Sequence, residues 1–260
     1  MIKPDEMFFE IFGVLDRLVK RTSKLLRRPR VVLIIPARNE EKGIVKVIKA
    51  GKKSKYVTDI LVVNGHSNDK TVSIAKELGV RVVEQYKNRR GKGGGIHTGI
   101  KEASGEIFVF SDADYKNITS LMIDKMVKPI IDGYADHTIP KLKGKIGRVT
   151  HLTAKPLLKL YFPEIKLSRP LEGLFAAKAN ILKKLKIEDG WGAESARIID
   201  IHMMEYRTKE VDIGYLYHDQ KDITQLVPMA AEITSVITKK AIQYRRIRSK
   251  KLLKNTLDKS

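Results

Sequence analysis

The chain has 260 residues, of which 42% are hydrophobic, and this suffices to bury a substantial core in one large domain. It contains no cysteine, which excludes disulfides and thiolate sites. The sequence also has no secretory signal pattern and no apolar run near the roughly 20 residues that cross a bilayer, so we expect a cytoplasmic protein. The net charge of +21 indicates either a lysine-rich surface, as in some heat-adapted proteins, or attraction to an anionic partner.

The first predicted element is an amphipathic helix over residues 5–27, in which five apolar side chains recur at helical spacing: Phe8, Ile11, Phe12, Leu15 and Leu18. Such a helix usually packs on its own domain or on a partner subunit. The alternative is a helix on a membrane surface, which would give the protein a peripheral membrane contact. We therefore treat residues 1–29 as an N-terminal extension.

Short apolar strands then alternate with helices. Strands are predicted over residues 31–35, 60–63, 80–83 and 106–110, and helices over residues 40–52, 70–78 and 95–103. Continuous apolar strands separated by helices are typical of a buried, mostly parallel sheet flanked by helices, so the predicted fold class is α/β.

The second half of the chain has a less regular pattern. It predicts a helix, a turn and a strand within residues 115–139, a basic loop over 141–148, a helix over 151–162, a strand over 211–217 and mainly helix over 222–254. We expect one domain over residues 30–221, divided near residue 115, and a basic helical extension over residues 222–260. That extension would pack against the second subunit of a homodimer.

Two carboxylates, those of Asp112 and Asp114, follow the fourth predicted strand. Residues two apart in a strand point to the same side, and ligands bind at the carboxyl end of the strands in open α/β sheets. Carboxylate oxygens suit a divalent cation, Mg²⁺ or Mn²⁺, that holds the phosphates of a substrate. The pattern predicts a metal–diphosphate site, and its ordinary alternative is a turn or a helix cap.

Three further loops carry candidate binding groups. The first strand runs into residues 36–40, where Asn39 can cap the next helix and free backbone amides can hold a base, ribose or phosphate. The second strand ends at Asn64 and Gly65, and the third loop places Lys92 among glycines that allow close approach to anions. The alternative for each is an ordinary turn between strand and helix.

These four segments together resemble the nucleotide-sugar half of GT-A glycosyltransferases. The motifs are Pro-Ala-Arg-Asn-Glu at 36–40, Asn-Gly-His-Ser-Asn-Asp at 64–69, Gly-Lys-Gly at 91–93 and Asp-Ala-Asp at 112–114. The resemblance implies a GT-A, Rossmann-like fold. It implies a nucleotide-sugar site made by Pro36, Ala37, Arg38, Asn39, Glu40, Asn64, Gly65, Lys92, Asp112 and Ala113.

One residue departs from the pattern of that family. Asn64 stands where many relatives place an aspartate that helps to read the base. The resemblance therefore leaves UDP, GDP and ADP as donor nucleotides, with UDP-glucose as the first choice.

The second half resembles glucosyl-3-phosphoglycerate synthases. The matching motifs are Gly-Arg-Val-Thr at 147–150, Lys-Pro-Leu-Leu at 155–158, Tyr-Phe-Pro at 161–163, Arg-Pro-Leu-Glu-Gly at 169–173, Gly-Trp-Gly-Ala-Glu at 190–194 and His-Asp-Gln at 218–220. This resemblance implies transfer of glucose to the 2-hydroxyl of 3-phosphoglycerate with retention of configuration. Members of that family make a precursor of glucosylglycerate, which is a compatible solute or a starting unit for longer glycans.

The resemblance also implies roles for individual residues. Asp114 and His218 would bind the divalent cation, and the catalytic residues would be Asp114, Glu194 and Lys92. Acceptor contacts would come from Arg148, Val149, Thr150 and Gln220. Glu194 would orient the acceptor rather than act as a nucleophile, with front-face attack assisted by the departing diphosphate.

Two other functions are alternatives. The first is a GT-A transferase with a different phosphorylated acceptor or a polyprenyl phosphate. The amphipathic N-terminus and the basic C-terminus are compatible with such a membrane-associated acceptor. The second is a nucleic-acid-binding protein, prompted by the net charge and by the basic cluster at residues 245–248. We expect no nucleic-acid partner, because the sequence has no zinc-finger spacing and no RNA-recognition aromatic motif.

Overall fold

The computed structural model describes residues 28–144, 146–218 and 222–247. The predicted helix over residues 5–27 and the predicted acceptor residue Gln220 lie outside the described residues.

The described residues form one seven-stranded sheet in the order β3-β2-β1-β4-β6-β5-β7. The strands are β1 (Val31–Ala37), β2 (Val57–Asn64), β3 (Arg81–Glu84), β4 (Ile107–Phe110), β5 (His137–Leu142), β6 (Phe175–Lys178) and β7 (Thr208–Gly214). Strands β1 to β4 pair in parallel, as do β5 and β7, whereas β6 is antiparallel to both of its neighbours. The predicted mostly parallel α/β sheet is confirmed.

Helices cover both faces of the sheet. They are α1 (Ile44–Lys53), α2 (Thr71–Glu77), α3 (Gly91–Glu102), α4 (Ser120–Ile131), α5 (Lys155–Tyr161), α6 (Ala179–Leu182), α7 (Ala193–Met203) and α8 (Ile223–Gln243). A π-helical turn, Thr150–Ala154, leads into α5, and a 3₁₀ turn, Gly190–Gly192, leads into α7. No helix within the described part of the chain has the length and apolarity needed to cross a membrane.

Strand β1 lies at the centre of the core because its side chains are buried on both faces of the sheet. Leu33 and Ile35 pack into the cluster that includes α1 and α4, whereas Val32 and Ile34 pack into the cluster that includes α3 and α6. Alternation of side chains along a strand produces this division. A continuous apolar run is thus the expected sequence of a strand with helices on both sides.

Helix α3 begins four residues before the predicted start. A Cβ at Gly93 would clash with the Glu188 carbonyl, and a Cβ at Gly95 would lie 2.8 Å from the Pro36 side chain. Glycine disfavours a helix by about 1 kcal/mol per residue. In α3 this cost is outweighed because the helix backbone packs closely on its neighbours. Gly93 and Gly95 therefore allow the close packing of α3, and the expected approach of this segment to an anion stays a prediction.

Helix α8 packs on the same chain through one face. Its buried Lys240 Nζ lies 2.6 Å from Asp200 Oδ2 on α7, and the hydroxyl of Tyr244 donates to Asp200 Oδ1 at 2.8 Å. Ile233 and Ile237 are buried beside this polar cluster. The predicted helical C-terminal region is confirmed as far as residue 243, while the homodimer stays a prediction.

Candidate active site

The carboxyl ends of β1 and β2 carry loops that are joined by hydrogen bonds. Asn39 N donates to Ser67 Oγ at 3.0 Å, Asn68 N donates to Asn39 Oδ1 at 2.8 Å, and Glu40 N donates to Thr71 Oγ1 at 2.8 Å. Asn39 has a left-handed backbone with φ of 57° and its side chain does not cap α1, which begins only at Ile44. The predicted helix cap is wrong, because the Asn39 carboxamide connects two loops instead.

The same edge brings the other nucleotide-side candidates together. Ala37 and Asn64 are register partners, and Gly65 N donates to Ala37 O at 2.8 Å. A Cβ at Gly65 would lie 3.1 Å from Arg38 Cβ, a tight contact that Arg38 would have to relieve by moving. Ala37 is buried, and Pro36, which precedes it, packs against Gly95 of α3.

Asp112 and Asp114 lie beyond the end of β4 at Phe110, Asp112 just before a turn and Asp114 within it. The expectation that strand alternation directs both carboxylates together is therefore wrong. Asp112 faces Lys92 and Gly173, where an added Cβ would clash with its carboxylate. Asp114 instead lines a cavity of about 340 Å³ with residues 39–43. Ala113, between them, is buried, and its carbonyl packs against Gly43.

Lys92 connects two carboxylates that are distant in sequence. Its Nζ lies 2.8 Å from Asp112 and 2.7 Å from Glu194 Oε1, and its side chain is 14% exposed. Burial alone would lower the pKa of Lys92, but the charges and hydrogen bonds of Asp112 and Glu194 outweigh it and raise the pKa above its ordinary value. Lys92 is therefore charged across the physiological pH range.

The Asp114 carboxylate shows the features of a cation ligand. Its Oδ1 is buried and accepts no hydrogen bond from the described residues. Burial, and then the charge of Asp112, raise the pKa of Asp114, while His218 and Lys92 lower it. The His218 ring lies edge-on to Tyr115, with ring centroids 6.3 Å apart. A buried carboxylate oxygen of this kind fits a divalent cation, because the cation would supply the missing partner.

Asp114 and His218 do not form a complete cation site by themselves. Over residues 28–144, 146–218 and 222–247, no three His, Asp or Glu side chains are grouped so that they could hold a metal ion. Mg²⁺ is commonly bound through one or two protein ligands together with substrate phosphates and water. The donor set therefore fits an ion that binds with a phosphorylated ligand.

The predicted acceptor residues have different environments. Arg148 is exposed in a short helical turn after β5. Hydrogen bonds from Thr224, with a smaller contribution from the charge of Arg148, lower the pKa of Asp222 at the start of α8. Thr150 is buried at the start of the π-helical turn. Val149 is buried in an apolar cluster with residues of α5 and α8, so its side chain is not available to an acceptor.

Glu172 belongs to the site, although we assigned it no role from the sequence. Burial, and then the charge of Glu194, raise the pKa of Glu172 to about 7, with opposing effects from Arg169 and His218. Arg169 Nη1 lies 3.6 Å from Glu172, and Arg169 Nη2 donates to Gly144 O at 2.8 Å. The Arg-Pro-Leu-Glu-Gly motif was visible in the sequence, but its contacts with distant residues were not.

The sequence profile of Glycosyl transferase family 2 matches residues 32–189. The chain belongs to this family. It is therefore a glycosyltransferase, and the predicted GT-A fold is consistent with the sheet order and with solved structures of relatives.

Two curated relatives of this family 2 glycosyltransferase are glucosyl-3-phosphoglycerate synthases. The protein of Petrotoga mobilis is 32% identical, over 90% of this chain and 79% of its own length. The protein of Mycobacterium tuberculosis is 28% identical, over 80% of this chain and 72% of its own length. The predicted resemblance to these synthases is confirmed.

Solved structures of the M. tuberculosis glucosyl-3-phosphoglycerate synthase have the same fold. Its complex with phosphoglyceric acid has a TM-score of 0.78 at 28% identity, covering 82% of this chain and 80% of that chain. Its complex with Mn²⁺, uridine diphosphate and glucosyl-3-phosphoglycerate has a TM-score of 0.77 with the same identity and coverage.

Proposed function

We propose that this glycosyltransferase is metal-dependent and transfers glucose from UDP-glucose to the 2-hydroxyl of 3-phosphoglycerate with retention of configuration. The observation that carries the proposal is the buried Asp114 Oδ1, which has no hydrogen-bond partner among the described residues and interacts electrostatically with His218 and Lys92. The relative from M. tuberculosis has been solved with Mn²⁺, UDP-glucose and phosphoglyceric acid, which supports the same reactants here.

Asp114 and His218 would hold the cation, Mg²⁺ or Mn²⁺. When bound, the ion supplies Lewis-acid stabilisation of the charge that develops on the departing diphosphate, typically worth several kcal/mol. A structure of the relative with Mg²⁺ and uridine diphosphate supports either metal.

Lys92 and Glu194 would orient the reactants. Lys92 adds a fixed positive charge in a buried environment, where it costs no reorganisation during the reaction. Glu194 is held by Lys92 at 2.7 Å, so it is suited to accept hydrogen bonds from hydroxyl groups rather than to attack the anomeric carbon. The proton of the acceptor hydroxyl would then pass to an oxygen of the departing diphosphate during front-face attack.

Arg148 and Thr150 would bind the anionic groups of the acceptor. A guanidinium can donate two parallel hydrogen bonds to a carboxylate or phosphate, and a hydroxyl donates one. Holding the acceptor hydroxyl near the anomeric carbon converts a bimolecular reaction into an effectively unimolecular one.

The direct test is a screen of UDP-, GDP- and ADP-sugars against 3-phosphoglycerate, with Mn²⁺ or with EDTA, followed by mass spectrometry of the product. We expect a metal-dependent product of one hexose on 3-phosphoglycerate, with the α configuration of the donor retained in its NMR spectrum. A parallel arm contains a polyprenyl phosphate in detergent. Product in that arm alone would contradict the proposed acceptor.

Arg148→Ala is expected to raise the KM for 3-phosphoglycerate by about 10- to 100-fold, because a charge-assisted contact contributes about 1.5–3 kcal/mol. The KM for the sugar nucleotide should change little. Lys141→Ala, which removes an exposed cation of the same basic segment, is the control and should leave both constants near their wild-type values. An unchanged acceptor saturation curve for Arg148→Ala would contradict this role.

A further inference from the structure

Helix α1 carries a row of lysines on its outer side. The row consists of Lys42, in the turn before the helix, and of Lys46, Lys49 and Lys53 within it. Residues three and four positions apart lie next to one another on a helix, so this spacing places the four side chains on one side of α1. All four lysines are exposed. The transfer chemistry assigns this lysine row no role.

The lysine row works against the stability of the helix. Like charges three or four positions apart repel one another, and α1 contains no acidic residue that could offset the repulsion. The ordinary explanation for many lysines is a heat-adapted surface, but such surfaces organise lysine and glutamate into networks of ion pairs. An anionic partner therefore explains the row better than the stability of the fold does.

The lysine row lines a groove between α1 and the start of α4. The groove has a volume of about 500 Å³ and contains no acidic residue. Besides the four lysines, its lining consists of apolar and hydroxyl side chains: Val45, Ala50, Ile118, Thr119 and Ser120. A lining that combines several cations with apolar groups is complementary to an anion that also has an apolar part. We call this feature the lysine groove.

Exposed apolar and aromatic side chains flank the lysine groove. Leu121, in the first turn of α4, is 62% exposed. Lys46 Nζ donates to Lys116 O at 2.5 Å, and Lys116 N donates to Tyr217 O at 2.8 Å. The exposed rings of Tyr217 and Tyr215 are stacked, with centroids 6.1 Å apart. Leucine favours hydrocarbon and tyrosine favours the boundary between lipid and water, so these flanks fit a lipid surface.

We propose that the lysine groove and its flanks form a docking surface for a membrane that contains anionic phospholipids. The lysines bind the lipid phosphates, and Leu121 enters the boundary between headgroups and acyl chains. The groove shares Lys42 and Lys46 with the cavity that contains Asp114, so docking places that cavity close to the lipid. Duplex nucleic acid would use the same lysines through its phosphates, but those contacts give Leu121 no role.

The test is sedimentation of the full-length protein with two kinds of vesicle, made of phosphatidylcholine alone or of equal parts phosphatidylcholine and anionic phosphatidylglycerol. Wild-type protein is expected to bind the anionic vesicles at least about 30-fold more tightly than the neutral ones. Replacing Lys46, Lys49 and Lys53 together by glutamine should weaken binding to the anionic vesicles by at least about 30-fold, because each lysine near such a surface contributes about a factor of five.

Three exposed lysines on the other side of the sheet provide the matched control. Lys183, Lys184 and Lys186 follow α6, whose apolar residues pack into the core cluster opposite that of α1. Replacing them by glutamine removes the same charge and should weaken vesicle binding by about threefold or less in about 0.1 M salt, which screens charges more than about 10 Å apart. Both triple variants retain the basic ends of the chain, so their comparison separates the groove from attraction by the net charge.

Urea denaturation separates loss of docking from loss of structure. The variant of the lysine row should be at least as stable as wild type, because it removes repulsion between like charges. Leu121→Ser should weaken binding to the anionic vesicles by about tenfold, since an exposed leucine no longer enters the lipid. The same substitution should leave binding to a duplex DNA oligonucleotide unchanged.

The inference is independent of the proposed function, because docking requires neither substrate nor metal. Wild-type protein that does not bind the anionic vesicles would overturn it, as would equal losses in the two triple variants. Unchanged vesicle binding by Leu121→Ser would exclude a lipid surface as the partner. Binding of the DNA oligonucleotide that depends on the lysine row, without binding of vesicles, would assign the groove to nucleic acid instead.

Discussion

Replacing Asp114 by asparagine is expected to lower kcat for glucosyl transfer by at least about 1,000-fold, because the Lewis-acid contribution of a bound cation is several kcal/mol and each 1.4 kcal/mol is a factor of ten. Asparagine keeps the size of the side chain and removes the charge that holds the ion. The measurement is kcat over a range of MnCl₂ concentrations, together with the UDP-dependent binding of Mn²⁺ by electron paramagnetic resonance. The Mn²⁺-dependent kcat and the UDP-dependent binding of Mn²⁺ should both be lost.

The same substitution should not destabilise the metal-free protein. Asp114 Oδ1 is buried without a partner among the described residues, and its pKa is raised, so the ionised carboxylate opposes folding. A group with a raised folded pKa contributes stability at low pH that is lost as the pH rises. In EDTA, Asp114→Asn should therefore be as stable as wild type near pH 4 and equally or more stable near pH 7, by urea denaturation.

The combination of lost activity with retained stability distinguishes a cation ligand from a structural residue. Asp132→Asn is the matched control, since Asp132 is exposed at the end of α4 and forms a surface ion pair with Lys128. It should leave the metal dependence of transfer unchanged. Full metal-dependent turnover by Asp114→Asn would rule out the cation role.

The local pattern of the sequence was sufficient to predict the first four strands and the loops that follow them. Residues 31–35 and 107–110 are apolar runs bounded by polar loops, and such runs form buried strands wherever helices cover both faces. Because parallel strands place their carboxyl ends on one edge, Asn64 and Asp112 could be assigned to the same region from the sequence.

What the sequence did not reveal depends on contacts between distant residues. Strand β6 has only four residues, and its short apolar run reads equally well as part of a loop or helix. The partnership of Lys92 with Glu194 joins residues a hundred positions apart, which no local pattern contains. Glu172 likewise gains its raised pKa from burial and from Glu194, so its place in the site follows only from tertiary structure.

The largest loss of stability is expected for Lys92→Met. Methionine fills a similar volume but leaves the carboxylates of Asp112 and Glu194 close together without their shared cation. Removing one partner of a buried ion pair typically costs about 3–5 kcal/mol, so the free energy of unfolding from urea titration should fall by about that amount at neutral pH. Glucosyl transfer should be lost as well, because Glu194 no longer has a fixed position.

The pH dependence of this loss provides a further check on its electrostatic origin. Without the ammonium group, the carboxylates of Asp112 and Glu194 lie close together with no cation between them. The resulting repulsion requires both negative charges, so acid weakens it. The free energy of unfolding that Lys92→Met loses relative to wild type should therefore be smaller at pH 5 than at pH 8. Lys239→Met is the control: its ammonium lies 2.9 Å from Glu188 but its side chain is 55% exposed, so its removal should cost only about 0–1 kcal/mol. Equal, pH-independent losses in the two variants would mean that Lys92 acts through packing of its hydrocarbon chain and that Glu194 is held by other contacts.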